Sequence, residues 1–472
     1  MSADMDLRQP VIAVLDIGKT NVKLCAIEGG NHGGALLAKH SRSNGVVQGA
    51  PYPHVDDRAI WHWVCEALAQ LAREYHVTSI AITTHGATAA CLAGDELALP
   101  ILDYESPLCQ SLNNEYRTTR PAFEESGSPD MAVGLNLGRQ LYWLSRAYRQ
   151  AFERVTDILL YPQYWGWLLS GVKASEVTSL GCHTDLWDPM REDFSSLTDR
   201  MGWRELLPDL QPTGEVLGPV QPELAARLGL PEDCMVCNGI HDSNASLVPH
   251  LLTRSAPFTV VSSGTWTVIC SIGASAERLQ EDLDMLVNVN AYGEAVPTIR
   301  FMGGREWETL RGTGQTSLAD LKRVMTAEIH ALPAFSDQGG PFRHHAGRLV
   351  GPVHQLNSAG KTALASVYCA LMTDYCLDLL GSEGDIVIEG AFARNDVYMY
   401  TLATLRAQGA RQDLYGSSDS TGTTQGTAML GQSINHWPLS AAQLVAPLAE
   451  SQALLAYAGN WRQLVKAMAA AA

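Results

Sequence analysis

Strand and helix signals alternate along the chain, and each half opens with two β-prone runs around a short Gly-containing turn. Together they predict a layered α/β fold in two domains. Length points the same way, because 472 residues exceed what one ordinary core holds.

The elements follow in order. Val11–Leu15 is an apolar run, Gly18-Lys19-Thr20-Asn21 carries turn chemistry, and Val22–Ile27 resumes the strand. Trp61, Val64, Leu68, Leu71 and Tyr75 recur at helical spacing, predicting a helix over 61–75. Residues 79–86 read as a strand ending in glycine. Residues 257–273 repeat the opening pattern, with two strands around Ser263-Gly264-Thr265. An amphipathic helix is expected over 362–381, with Leu364, Val367, Leu371, Tyr375 and Leu379 on one face and Gly381 closing it. Residues 385–395 give a buried strand running into a Gly-led turn, and the Ala- and Leu-rich tail from about 440 reads as a packing helix. The break between domains is placed near residue 245, giving domains 1–245 and 246–472.

Composition excludes some functions. Hydrophobic residues at 46% and charged residues at 18% are the balance of a folded soluble chain. A net charge of -17 argues against a nucleic-acid groove, though not against phosphate, because backbone N–H groups and a metal supply local positive potential. Residues 1–10 do not read as a signal peptide, and no run approaches the roughly 20 apolar residues of a membrane helix. A cytoplasmic protein with reduced cysteines is therefore expected. Cys234 and Cys237 have CxxC spacing, with His241 and His250 the nearby candidates for a zinc site. The missing second pair favours a buried strand instead.

Several motifs suit phosphoryl transfer, which needs N–H groups facing phosphates, a carboxylate for Mg²⁺ and a base. In the first turn Gly18 lets backbone approach a phosphate, and Asp16 is placed to hold the metal; an ordinary hairpin reads equally well. The sequence holds no Walker A loop. Ser263, Gly264 and Thr265 offer hydroxyls and N–H groups to the β- and γ-phosphates. Gly390 and Ala391, after a buried strand, leave room for an adenine. Asp242 follows another predicted strand, as a base at the edge of a binding site would, although a helix N-cap fits it too. His241 is the competing base. His85 and Gly86 end a third strand, where a core histidine is as natural as a ligand.

The order of these motifs resembles the FGGY family of carbohydrate kinases, of the actin, hexokinase and Hsp70-like superfamily. DIGKTNVK (16–23), HGA (85–87), the block 207–246 ending near Asp242, SSGT (262–265), EGAFARN (389–395) and TTQGTAMLG (423–431) carry the resemblance, from about residue 11 to 435. It implies two actin-like (ribonuclease H-like) domains around a central nucleotide/sugar cleft, with Mg-ATP as donor. Asp242 would be the base, at the mouth of the cleft and facing both Gly264 and His85. His85, Gly86, Glu105, His241 and Asn244 would contact the sugar. Gly18, Lys19, Thr20, Asn21, Ser263, Gly264, Thr265, Gly390, Ala391 and Asn395 would contact the nucleotide, Asp16 the metal, and 423–431 would complete the nucleotide site. The block 207–246 also places the two cysteines in the strand before the base.

Departures from the family pattern fall at 103–107, where Glu105 stands for the usual Asp and Pro107 for an arginine. Lys19 replaces a small hydroxyl residue and either approaches the γ-phosphate or sits in solvent. Arg305 is read as a structural ion pair. The wording around Asp242 leans towards the branch resembling L-fuculose and L-rhamnulose kinases, so a ketose or polyol acceptor is expected, with a homodimer as one possible assembly. The competing readings are an ATP-binding chaperone-like member of the superfamily and a sugar-binding regulator.

Overall fold

The computed structural model describes residues 8–29, 34–336, 339–408, 411–417, 422–431 and 442–470. Contacts divide the chain into two compact units. The first takes in residues 1–253, 287–295 and 421–439, and the second takes in 254–286, 296–420 and 440–472.

In the first unit the opening residues form a hairpin, β1 (Pro10–Ile17) and β2 (Asn21–Glu28), because an unbroken apolar run meets a turn whose Gly18 N–H donates to the Asn21 carbonyl at 2.9 Å. β3 (Leu36–Ser43) extends it antiparallel. β4 (His76–Thr84) lies parallel to β1 on its other side, followed by β6 (Met235–Cys237), also parallel, and by β5 (Val216–Pro219), antiparallel at the edge. A two-residue strand, β7 (Ile240–His241), also pairs parallel with β4. Helix α1 (Asp57–Glu74) covers this sheet. It starts four residues earlier than its apolar spacing suggested, because Asp56 caps it by accepting from the Ala59 N–H. Residues 89–207 contribute a further apolar cluster around Tyr116, Trp187 and Trp203.

The second unit repeats the arrangement. β8 (Phe258–Ser263) and β10 (Ala295–Phe301) each pair antiparallel with β9 (Thr267–Ile272) between them. β11 (Asp385–Gly390) lies parallel to β8, and β12 (Leu414–Gly416) is parallel to β11. Three antiparallel strands followed by two parallel ones, in one spatial order, define both sheets. This is the ribonuclease H-like arrangement that the resemblance implies.

Three expectations need correction. The helix α2 (Ser358–Leu380) is buried all round rather than amphipathic: Ala363, Ala365, Ser366, Val367 and Cys369 are covered on successive faces. Such a helix belongs inside a fold. Its 23 residues are also long and apolar enough to cross a membrane, against the expectation that no such run exists, but they form the centre of the second unit's core. Gly381 ends it in the left-handed conformation at φ 65°. The helix α3 (Gly422–Leu430) packs on β1, β4 and the residues after β7, with Ala428 beside Ile12 and Val14 and Met429 beside Ile240 and Val248. It is therefore part of the first unit. Cys234 and Cys237 are buried free thiols, as the strand reading has it.

The C-terminal helix α4 (Gln452–Ala470) closes the second unit's core. Trp461 on it is fully buried and its indole N–H donates to the Ala331 carbonyl at 2.7 Å. Trp461→Ala should cost about 3–5 kcal/mol, read as a fall in the urea midpoint of the second unit's unfolding transition.

Candidate active site

Parallel pairing brings three chain segments to one end of the first sheet. Ile17 of β1 registers with Thr84 of β4, and Thr84 registers with His241 of β7. The residues at these strand ends, Asp16, His85 and Asp242, are thereby neighbours. The His85 N–H donates to the Ile17 carbonyl at 3.0 Å, which ties the second segment to the first.

Asp242 is the first residue of a single helical turn, Asp242–Ala245, whose N-cap is His241. The capping role considered for Asp242 thus falls to its neighbour. Asp242 Oδ1 accepts from the Ser243 N–H at 2.6 Å and lies 3.2 Å from His241 Nε2. The side chain keeps 34% of its surface accessible, enough for a hydroxyl to approach. Desolvation raises its pKa above the ordinary carboxylate range, opposed by the His85 charge and the Ser243 hydrogen bonds.

His241 adjoins that carboxylate. Its Nδ1 faces the Asn244 amide nitrogen at 3.3 Å, so Nδ1 accepts and Nε2 carries the proton, 3.2 Å from Asp242 Oδ1 and 3.9 Å from Cys182 Sγ. Burial lowers its pKa to about 4, which makes it a poor base near neutrality. The Nε2–Cδ2 side of the ring comes up against Gly86, where a Cβ would come within 2.8 Å of Nε2. Gly86 is therefore required for close approach. Asn244, expected to contact sugar, is buried and spends its amide on His241.

His85 donates from Nδ1 to the Gly86 carbonyl at 2.9 Å, leaving Nε2 as an acceptor, and packs between the rings of Tyr104 and Tyr161. Burial lowers its pKa, with Asp242 acting to raise it and Lys19 to lower it.

Asp16 sits opposite Lys23 across the hairpin, with Lys23 Nζ 2.8 Å from Oδ2. Burial raises the Asp16 pKa, Lys23 lowers it, and the nearby Asp242 raises it again. Lys23 leaves Oδ1 for another partner. Magnesium takes one or two carboxylates plus phosphate oxygens and waters, so a single buried Asp of this kind fits it as donor. Thr20 and Asn21 are exposed at the turn. Lys19 is not in solvent: its ammonium is hydrogen-bonded to the Asp103 carboxylate and lies 3.3 Å from Glu105 Oε2.

Sequence reading missed the residues that brace this end of the sheet. Glu176, fully buried, accepts from the N–H groups of Thr178 and Ser179, and Thr178 Oγ1 accepts from the His241 N–H at 3.1 Å. Gln163 donates to Asn238 Oδ1 at 3.0 Å and to the Gly239 carbonyl at 2.9 Å. No spacing signal marks their role, since Thr178 and Gln163 lie 63 and 75 residues from His241 and Asn238, which they hold.

The second unit carries a cavity of ≈ 860 Å³ lined by Gly264, Thr265, Gly304, Trp307, Ala391 and Asn395 among others. Its walls are set by β8 and β11, where Ser263 registers with Gly390. Gly390 has φ 80°, and a Cβ there would lie 2.0 Å from the Ser263 carbonyl. The Ser263 hydroxyl, expected to face phosphate, instead donates to the Glu389 carbonyl and accepts from the Phe392 N–H at 2.9 Å. It binds the two turns together. Asn395 donates to Ser366 and caps the following helix through the Tyr398 N–H. Arg305 lines the cavity and, among the described residues, has no ion pair, contrary to expectation.

The chain matches the FGGY family of carbohydrate kinases, N-terminal domain, over residues 11–249, and the carbohydrate kinase FGGY, C-terminal domain, over 255–439. It belongs to the FGGY family of carbohydrate kinases. A solved structure of a carbohydrate kinase from Novosphingobium aromaticivorans is 33% identical over 98% of this chain and 99% of that one, with a TM-score of 0.90. The L-fuculokinase of Escherichia coli (strain K12) is 28% identical over 56% of this chain and 57% of its own length. The rhamnulokinase of Oceanobacillus iheyensis is 28% identical over 28% of this chain and 27% of its own. The match thus spans little more than half of the L-fuculokinase.

The neutral state of His241 has a consequence in acid. Between pH 6.5 and about 4 the unfolded chain binds a proton at this residue that the folded protein refuses, so stability falls with pH. His241→Gln removes that contribution. The stability gap between wild type and variant, from urea midpoints at about pH 7 and about pH 5, should narrow on acidification.

Proposed function

We propose that the chain transfers the γ-phosphoryl group of ATP to a hydroxyl of a small sugar, a ketose such as a deoxyhexulose or pentulose, or to a polyol. The observation that carries this reading is the meeting of Asp16, His85 and Asp242 at the ends of three registered strands. The L-fuculokinase and rhamnulokinase relatives support the deoxyketose class.

In this reading Asp242 is the general base. The acceptor hydroxyl donates to its carboxylate, which the Ser243 N–H holds in place and beside which His241 Nε2 lies at 3.2 Å. The raised pKa brings the carboxylate nearer the operating pH, where a base works best. As the acceptor oxygen bonds to the γ-phosphorus, its proton passes to Asp242, and the bond to the β–γ bridging oxygen breaks to release ADP. His85 Nε2 accepts from a second sugar hydroxyl, and Glu105 lies at the exposed edge of the same region.

Thr20 and Asn21 in the first turn, and Thr265 in the second, offer polar groups to the phosphates, while Gly18 and Gly264 spend their N–H groups on the Asn21 and Trp266 carbonyls and let backbone come close. Ala391 and Asn395 line the wall for adenosine, with Gly390 letting the two backbones meet behind it and Ser263 fixing that wall. Asp16 would hold magnesium, which when bound neutralises charge on the β- and γ-phosphate oxygens.

A coupled ADP-release assay over pentuloses, hexuloses, deoxyketoses, polyols and aldoses should show saturable stimulation by one class. Asp242→Asn should then lower turnover by about 10²–10⁴-fold while calorimetry shows ATP binding retained. Near-wild-type turnover in that variant would remove Asp242 as the base.

A further inference from the structure

Lys19 sits in the first phosphate turn by sequence, yet its side chain leads away from the turn. The ammonium bonds to Asp103, lies 3.3 Å from Glu105 Oε2, and stands 4.6 Å from the centroid of the Tyr104 ring. These partners lie on a segment 84 residues further along the chain, and residues 103–107 contain no cation of their own. Lys19, Asp103 and Tyr104 share a recess with His85 and Thr88. All are on the first unit.

We infer that Lys19 is an acceptor-binding residue, its ammonium fixed beside His85 to hold a hydroxyl of a polyhydroxylated substrate rather than a phosphate oxygen. The argument begins with Asp103, whose side chain is only 9% exposed. Withdrawing Lys19 towards a phosphate would leave that carboxylate buried without its cation, a costly state. The ammonium is thus held where it is.

The donors and acceptors then match a vicinal diol. An ammonium has three N–H groups; Asp103 takes one by hydrogen bond, and Glu105 lies 3.3 Å away as an ion-pair partner. Donor capacity remains for a hydroxyl, beside an Asp103 carboxylate with lone pairs to spare. His85 Nε2 adds a second acceptor, because Nδ1–H is committed to the Gly86 carbonyl. Each sugar hydroxyl both donates and accepts, so adjacent hydroxyls can be read by this mixed set, while the Tyr104 ring, in contact with both Lys19 and His85, keeps the two side chains together. The charge of Lys19 also acts on His85, as does that of Asp242 from the other side of the site's chemistry.

The proposal rests on the sugar-kinase reading and is tested with the full chain. Nucleotide binding is measured by calorimetry with Mg-ADP, and acceptor kinetics with whichever member of the sugar and polyol panel the wild type turns over. Lys19→Met should raise the acceptor KM by at least about tenfold, leave kcat within a few-fold, and leave Mg-ADP affinity within about twofold. Lys19→Arg keeps the cation and should recover most of the acceptor KM, which a merely structural role for the stem would not require. If Lys19→Met fails to fold, Lys19→Gln takes its place with the same expectation. An unchanged acceptor KM in the variant without the cation, or a tenfold loss of Mg-ADP affinity in any of them, overturns it. Wild-type protein that turns over no acceptor would overturn the sugar-kinase reading and this proposal with it. Turnover with an unaltered KM in Lys19→Met would sink the Lys19 assignment alone.

Discussion

Registered parallel pairing around β4 is the constraint on which the candidate site depends. A one-residue slip of a strand turns every side chain to the opposite face, so the register of β1 against β4, both buried along nearly their whole length, fixes more than the core. It fixes where each strand stops, and therefore which residues emerge together at the sheet's end. Asp16 precedes that end by one residue, while His85 and Asp242 follow it by one. The core beneath and the chemistry above are set by the same hydrogen-bond ladder.

The second unit uses the same device with other side chains. β8 and β11 end in register at Ser263 and Gly390, and the cavity forms beside them. What differs is the fastening. The first unit braces its strand ends with buried side chains, Glu176 with Thr178 and Gln163 with Asn238. The second relies on one hydroxyl, Ser263, bonded to both neighbouring segments, and on a glycine that lets the two backbones meet.

Much of this was legible in the sequence, for a physical reason. Strands with continuous apolar runs and turns rich in Gly, Ser and Thr announce themselves locally, so both hairpins and the strand before Asp242 were placed correctly. The α2 helix shows where local reading fails: five apolar residues at helical spacing suggested one face, whereas small and hydroxyl residues such as Ala365, Ser366 and Thr373 are buried on the others. Long-range contacts were out of reach. Lys19 was read as a turn residue because its partners, Asp103 and Glu105, lie far along the chain. Asn244 was read as a ligand contact because sequence cannot tell a side chain facing a site from one facing the histidine behind it.

The return of α3 to the first unit has a consequence for synthesis. Residues 254–286 and most of 296–420 must leave the ribosome before the chain comes back to cover Ile12, Val14 and Ile240. Domains ordinarily fold in turn as they emerge, N-terminal first. Here the earlier sheet stays uncapped while the later unit is being made, its apolar face waiting for residues more than 400 positions downstream of β1. Completion of both units therefore waits for the last elements of the chain: α3 covers the first unit's sheet, and α4, made after it, closes the second unit's core.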